Sequence, residues 1–293
     1  VRDHQQRGMP VTAVRELLPV TLALAGVFGL VVGSFLNVVV YRVPAGFSVV
    51  APPSACPRCG HQIRRRDNVP VLSWLALRGR CRDCGAPISA RYPSVELATA
   101  ALFVGVAWSW SWSSSVAVMP PGAAVLAEAI DFAALLFLMA VSVALALIDV
   151  DTRRLPNAIV YPSAGVLGIL LVTATVLSGD VGALVRAVAG AAVLGGAYLV
   201  LALAVPGGMG LGDVKLAVVL GFVLAYLGWG PLAVGAFGAF VVGGTVAIAL
   251  LVSGRTRWRG GLPFGPSMLA GAWIGIFFGQ DLWTAYLRLL GLA

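Results

Sequence analysis

Charge is scarce in this sequence. Only 11% of its 293 residues are Asp, Glu, Lys or Arg, less than half the share of a soluble domain. A soluble globule of this length needs far more polar surface, so that class is excluded. Mean hydropathy is +0.94, which excludes intrinsic disorder for the opposite reason. Cysteine is sparse too, and four residues are too few for a secreted disulfide scaffold. What is abundant is apolar, at 59% of the chain. The class that remains is an all-α polytopic membrane protein in a lipid bilayer. Its net charge of +8 does not require nucleic acid, because Lys and Arg gather in the cytoplasmic loops of membrane proteins.

Charge-free runs locate the spans, since a helix needs roughly 20 apolar residues to cross about 30 Å of hydrocarbon. They are Leu17–Tyr41, Leu97–Trp112, Phe132–Ile148, Ala158–Ser178 and Ala187–Val205. Leu216–Gly254 is too long for one helix, and Gly228-Trp229-Gly230-Pro231 breaks it into spans six and seven. Gly265–Leu290 holds the last, so about eight transmembrane helices are expected. No signal-peptide cleavage pattern is read ahead of span one, and the opening Val1 suggests a non-Met start or a trimmed chain. Gly26, Gly29 and Gly33 read as a small-residue face for close helix packing.

Nine of the twenty basic residues lie between Arg42 and Arg91, and Arg153, Arg154, Lys215, Arg255, Arg257 and Arg259 share that side. The loops Ser113–Gly122, Gly179–Gly182 and Gly228–Gly230 have no Lys or Arg. The positive-inside rule then places the Arg42–Arg91 loop in the cytoplasm and both termini outside, with Arg2, Arg7 and Arg15 running against it.

That loop carries Cys56-Pro57-Arg58-Cys59 and Cys81-Arg82-Asp83-Cys84, two C-x-x-C knuckles 21 residues apart. The spacing is that of a zinc ribbon, in which each knuckle converges two thiolates and two knuckles complete a tetrahedral shell. Gly60 and Gly85 follow each second cysteine, where the turn needs a permissive backbone. Two disulfides are the competing reading, disfavoured in a reducing cytoplasm. His61 reads as a bystander, because four thiolates already fill the site.

A second constellation is acidic. Carboxylates in or at the edge of a membrane are costly and mark function. Asp149 and Asp151 close span three, and Asp213 opens span six (Val214–Leu227) within Gly210-Leu211-Gly212-Asp213. Gly210 and Gly212 are expected to let the backbone approach a neighbouring helix. Two carboxylates sharing a partly dry site divide the work: one holds a proton while the other acts as base on water. Asp149 and Asp151 point to different helix faces, so only one pairs with Asp213. Helix-end charges and an ion relay are the competing readings. Glu128 and Asp131 read as a solvated outer terminus. Glu96 reads as an N-terminal acid that suits the dipole of span two, and with Asp67, Asp83 and Asp151 it is available to a basic ligand. Trp108, Trp110 and Trp112 read as an interfacial belt. The Arg255–Arg259 cluster reads as topological or lipid-facing.

These residues also resemble a known family. Gly33-Ser34-Phe35-Leu36-Asn37, the two knuckles, and Arg91-Tyr92-Pro93-Ser94-Val95-Glu96 are similar to motifs of the type IV prepilin peptidases. Ile148-Asp149-Val150-Asp151 with Leu155-Pro156-Asn157, Gly208-Met209-Gly210-Leu211-Gly212-Asp213-Val214-Lys215 and Pro263-Phe264-Gly265-Pro266 follow in the family's order. The family often has Asp at the place of Asn157. The resemblance implies a membrane G-x-G-D aspartic protease in the bacterial inner membrane. It would remove the basic leader of prepilins or pseudopilins of type IV pilus and secretion systems. Many members then methylate the new N-terminal amine with S-adenosylmethionine. The resemblance gives Asp149 and Asp213 as the catalytic pair, Cys56, Cys59, Cys81 and Cys84 as zinc ligands, and Gly79 as a glycine tied to methyl transfer.

The expected organisation is a first segment and helix over 1–41, a zinc-binding cytoplasmic loop domain over 42–92 tied to methyl transfer, and a seven-helix peptidase domain over 93–293. The rival is a proton-coupled carrier with a zinc-stapled regulatory loop. Carriers place their acids near the bilayer midplane, whereas these sit at span ends. No nucleic-acid partner is expected, and the sequence sets no oligomeric state.

Overall fold

The structure is a computed structural model that describes residues 11–113, 122–204, 209–254 and 263–292. Arg2, Arg7, the side chain of Arg15, residues 114–121 of the Ser113–Gly122 loop, Val205, Gly208 and the Arg255–Arg259 cluster lie outside the described residues.

Among the described residues the chain is helical, with β-pairing confined to two isolated bridges. The helices are α1 (Val11–Arg42), α2 (Leu72–Ala76), α3 (Arg91–Ser113), α4 (Ala123–Thr152), α5 (Asn157–Ser178), α6 (Val181–Ala204), α7 (Leu211–Leu227), α8 (Trp229–Val252) and α9 (Gly265–Leu289). Helix α3 starts before Leu97, α4 before Phe132, α6 before Ala187 and α7 before Val214. Charge-free runs mark the apolar part of a helix and not its ends, because Arg, Glu and Lys are themselves good helix formers. Gly228, at φ 149°, separates α7 from α8, and Gly179, at φ 77°, separates α5 from α6.

Among the described residues, five helices are long and apolar enough to cross a membrane: α1 over Leu17–Arg42, α4, α5, α6 and α8. The expected eight crossings are therefore not confirmed. Helix α3 contains Arg91 and Glu96, and α9 contains Gln280, Asp281 and Arg288. Helix α7 has 17 residues, a rise of about 26 Å against a hydrocarbon thickness of about 30 Å.

The chain divides into two compact units, residues 1–125 with 135–143, and residues 126–134 with 144–293. In the first, α1 lies against α3 through small residues. A Cβ on Gly29 would lie 2.6 Å from the Ala100 Cα, and one on Gly33 would lie 2.8 Å from the Glu96 Cα. Backbone approach of this kind is how helices associate where apolar burial offers little contrast with lipid. Asn37 Nδ2 adds a hydrogen bond across the pair to the Tyr92 carbonyl at 3.2 Å.

In the second unit, α7 is apolar along its whole circumference beyond its first turn, the pattern of a helix meant for the inside. Leu216, Ala217, Leu220, Val223, Leu224 and Ala225 are all buried. It packs most extensively on α6 and also touches α5, α8 and α9. Helices α8 and α9 close on one another through Gly235, Gly271 and Gly275, where a Cβ would strike the facing backbone or a packed side chain. The result holds the first turn of α7 near the last turn of α4 and the start of α9.

Candidate active site and metal centre

Asp149 lies in the last turn of α4 and is 5% exposed. Its Oδ2 accepts a hydrogen bond from the Gly265 N–H at 3.1 Å, at the first residue of α9. A Cβ at Gly265 would lie 2.7 Å from that oxygen, so only glycine lets the amide come so close. Asp213 is the third residue of α7, and its Oδ2 accepts from the Gly210 N–H at 3.1 Å. This is the acid half of a capping box, and it fixes the rotamer of the carboxylate at the helix start.

Leu155, in the link between α4 and α5, joins the two acid turns. A Cβ at Gly212 would lie 3.1 Å from the Leu155 Cβ, and one at Gly265 would lie 3.4 Å from its Cδ2. Lys215 Nζ donates to Asn157 Oδ1 at 3.0 Å and sits 5.2 Å from the centre of the Tyr161 ring. The first turn of α7 is thus docked on the α4–α5 link, and the two carboxylates are within electrostatic reach of each other. Tyr198 of α6 feels the Asp213 charge as well. Its ring packs 5.8 Å from Phe240 and 6.2 Å from Phe264, which lie 5.5 Å apart. This aromatic trio seats the residue immediately before the Gly265 donor.

The cysteine loop belongs to the first unit. All four Sγ atoms lie within 4.8 Å of one another. Cys56 Sγ and Cys84 Sγ are 3.8 Å apart, and the edge of a tetrahedral shell with Zn–S near 2.3 Å is about 3.8 Å. No disulfide joins the four thiols. The donor set and its spacing fit a zinc ion.

The knuckles are built alike. The Gly60 N–H reaches the Cys56 carbonyl at 2.9 Å, and the Gly85 N–H reaches that of Cys81 at 3.0 Å. Bridges Ala55–Gln62 and Arg80–Pro87 close the two turns, with Gly60 at φ 75° and Gly85 at φ 68°. Backbone N–H groups of Cys59 and then Arg58 draw the Cys56 thiol down to about 6, while its neighbour Cys59 is pushed up to about 11. Arg82 grips Asp67 through Nε at 2.9 Å and Nη2 at 2.6 Å, and Arg64 meets Asp83 at 2.7 Å. The Arg82 hydrogen bonds hold the Asp67 carboxyl below the usual carboxylate range.

Gly79 sits at φ 65°, and a Cβ there would lie 2.9 Å from the Trp74 ring. The Trp74 indole N–H is bound to the Ile88 carbonyl at 3.1 Å. The indole packs beside Gly79.

Two family models match the chain. The bacterial peptidase A24 N-terminal domain matches residues 27–110, and the type IV leader peptidase family matches residues 136–248. A prepilin leader peptidase/N-methyltransferase of Burkholderia pseudomallei is 38% identical over 99% of this chain and 94% of its own length. The chain belongs to the type IV leader peptidase family. A relative of the same description from Aeromonas hydrophila is 36% identical over 90% of this chain and 93% of its own. One from Pseudomonas aeruginosa is 33% identical over 97% and 99%. No solved structure gives a significant match. The carrier reading gains no support from these comparisons.

In this leader peptidase family member Asp149 and Asp213 both lie in the second unit, and the four cysteines cluster in the first. Several other expectations change. Asp213 lies inside the first turn of α7 and not ahead of the helix. Of the two glycines before it, only Gly212 meets a neighbouring element, since Gly210 faces its own turn. Asp131 is no solvated terminus: it lies within α4, half-buried, and accepts a hydrogen bond from Tyr226. Glu96 is buried in the second turn of α3, where Oε2 accepts from the Val71 N–H at 2.7 Å. Asp67 and Asp83 are paired with arginines, and Asp151 is exposed. His61 joins the knuckle through its carbonyl, which accepts from Cys56 N. Sequence reasoning missed the Gly265 amide, Leu155 and the aromatic trio. The Pro263–Pro266 motif pointed to Gly265 and Phe264 and the Leu155–Asn157 motif to Leu155, whereas no motif marked Tyr198 or Phe240.

Proposed function

We propose that this chain cleaves the basic leader from type IV prepilin or pseudopilin substrates at the cytoplasmic face of the bacterial inner membrane, and N-methylates the new terminus. The observation that carries the reading is one pair of carboxylates, Asp149 and Asp213, each delivered by a different helix and each held by a backbone N–H. One carboxylate, ionised, takes a proton from a water molecule whose oxygen attacks the scissile carbonyl carbon. The other, protonated, gives its proton to the carbonyl oxygen. The tetrahedral intermediate then collapses: the C–N bond breaks, the leaving nitrogen takes up the proton first removed from water, and one hydroxyl of the intermediate re-forms the carbonyl and returns its proton to the second carboxylate. The Gly265 and Gly210 amides each occupy one Oδ2 and leave the other oxygen of each acid for this exchange.

Residues 42–92 form the zinc-stapled part in this reading, with Cys56, Cys59, Cys81 and Cys84 holding the ion. Residues 1–41 carry the first helix, and residues 93–293 the peptidase. Zinc would fix the loop, and S-adenosylmethionine would supply the methyl group when bound. Gly79 is the residue of this part tied to S-adenosylmethionine, and its φ of 65° lets the Trp74 indole pack beside it.

The test is to incubate the membrane-embedded enzyme with a prepilin and S-adenosylmethionine and to weigh both products. Release of the leader and a mature chain heavier by one methyl group are expected. An intact prepilin, or full cleavage by Asp213→Asn, would overturn the peptidase reading. A mature but unmethylated chain would remove the methyltransferase part alone.

A further inference from the structure

Two carboxylates of α4 accept hydrogen bonds from other elements of the second unit. One is Asp149. The other, Asp131, has no place in the proposed chemistry. Its Oδ1 accepts from the Tyr226 hydroxyl of α7 at 3.2 Å. The bond joins α4 to α7 within the second unit.

The placement matters. Asp131 and Asp149 are 18 residues apart on one helix, about 27 Å at 1.5 Å per residue. Asp213 and Tyr226 are 13 residues apart on another, about 20 Å. Helices α4 and α7 are therefore tied at two ends: through the proposed catalytic turns and the Leu155 link at one, through Asp131 and Tyr226 at the other. With the far end free, α4 can tilt and roll about its remaining tie at the acid turn, which re-aims the Asp149 carboxylate there by up to about an ångström. Misplacement of that size costs up to about a hundredfold in rate. A carboxylate in an apolar bundle is expensive to keep without a role, and this one has a partner on the helix whose position counts most.

We propose that Asp131 and Tyr226 are positioning residues, a clamp that sets the separation of Asp149 and Asp213 from the opposite end of their helices. The proposal rests on the two-aspartate reading above. Tyr226→Phe removes one hydroxyl and leaves the ring packing, so the fold should survive. Leader cleavage by this variant should fall about tenfold or more in kcat with KM unchanged, since the substrate does not touch the clamp. Asp131→Leu should do the same. Asp131→Asn, whose amide oxygen still accepts from Tyr226, should restore most of the rate. The Asp131→Leu, Tyr226→Phe double variant should be no slower than the worse single one. Thermal unfolding in detergent, run alongside, should put Tyr226→Phe close to the unsubstituted protein. Wild-type kcat in folded Tyr226→Phe, a change in KM alone, or an Asp131→Asn variant as slow as Asp131→Leu would overturn the clamp. Failure of the two-aspartate reading would show separately, as cleavage persisting in Asp149→Asn or Asp213→Asn.

Discussion

The cysteine loop and the acid pair are built by opposite strategies. All four thiols come from 29 consecutive residues, Cys56 to Cys84, and each knuckle is closed by hydrogen bonds within its own turn. The acid pair draws Asp149 and Asp213 from helices 64 residues apart, and the amide that holds Asp149 comes from 116 residues downstream. A local site survives as long as its turns do and gains rigidity from a metal. A site assembled from remote helices depends on helix packing at every step, and a carboxylate displaced by a small shift loses its function. The difference teaches where each site is fragile: the loop at its ligands and its indole, the pair at its backbone donors.

The sharpest break in this comparison is at the acids themselves. Asp213→Asn and Asp149→Asn should each lower leader cleavage by at least about 10²–10⁴-fold, the usual worth of a positioned acid or base. Asp151→Asn should leave most of the rate. Cleavage assays in membranes with a prepilin substrate read this directly, and a dead Asp151→Asn beside an active Asp149→Asn would reassign the pair.

Next comes the donor. Gly265→Ala places a methyl group 2.7 Å from Asp149 Oδ2, so the amide must withdraw. A fall of about tenfold to a hundredfold in kcat is expected, with zinc content unchanged by metal analysis. Equal kcat would show that the Asp149 carboxylate needs no fixed donor.

The loop should respond differently. Cys81→Ser should lower bound zinc from one ion per chain and loosen residues 42–92, measured by metal analysis and limited proteolysis. Methylation should fall before cleavage does. Gly79→Ser is narrower: the side chain meets Trp74 at φ 65°, a backbone region L-residues rarely adopt. Mass spectra of the mature pilin should show the leader gone and the amine unmethylated. Loss of cleavage in step with methylation would contradict the separation of the two sites.

The smallest effect concerns pH. Arg82 lowers the Asp67 carboxyl below its ordinary value, so this pair adds stability that is complete above the unfolded value of about 3.9. It is lost as pH falls through the lower folded value. Hydrogen-exchange protection of the loop in the unsubstituted protein and in Asp67→Asn should therefore differ by a constant amount at neutral pH and converge in acid. Added salt should shrink the gap, because the guanidinium is 41% exposed. A gap that widens in acid would rule out the pair as its cause.

How much of this was legible beforehand follows from the same contrast. The C-x-x-C spacing and the glycines after each knuckle mark a four-thiol cluster that could hold a metal ion, because each four-residue turn brings its two thiols to one side. The low charge and long apolar runs state helices in a membrane, since a bilayer core accepts little else from a chain of this composition. The D-x-D and G-x-G-D segments mark the acids, because carboxylates beside apolar spans are too costly to be incidental. Helical period says that only one of Asp149 and Asp151 can turn inward, the resemblance named Asp149, and Asp149 is the buried one. What tertiary structure decided was the set of partners. Gly265 reaches Asp149 because α8 and α9 pack backbone to backbone. Glu96 turns inward to Val71 because α1 presses on α3 through Gly33, and Asp131 finds Tyr226 because α4 and α7 run antiparallel. The hydrogen-bond capacity of each residue is written in its side chain, but the identity of its partner is set by distances that close only when the helices are assembled.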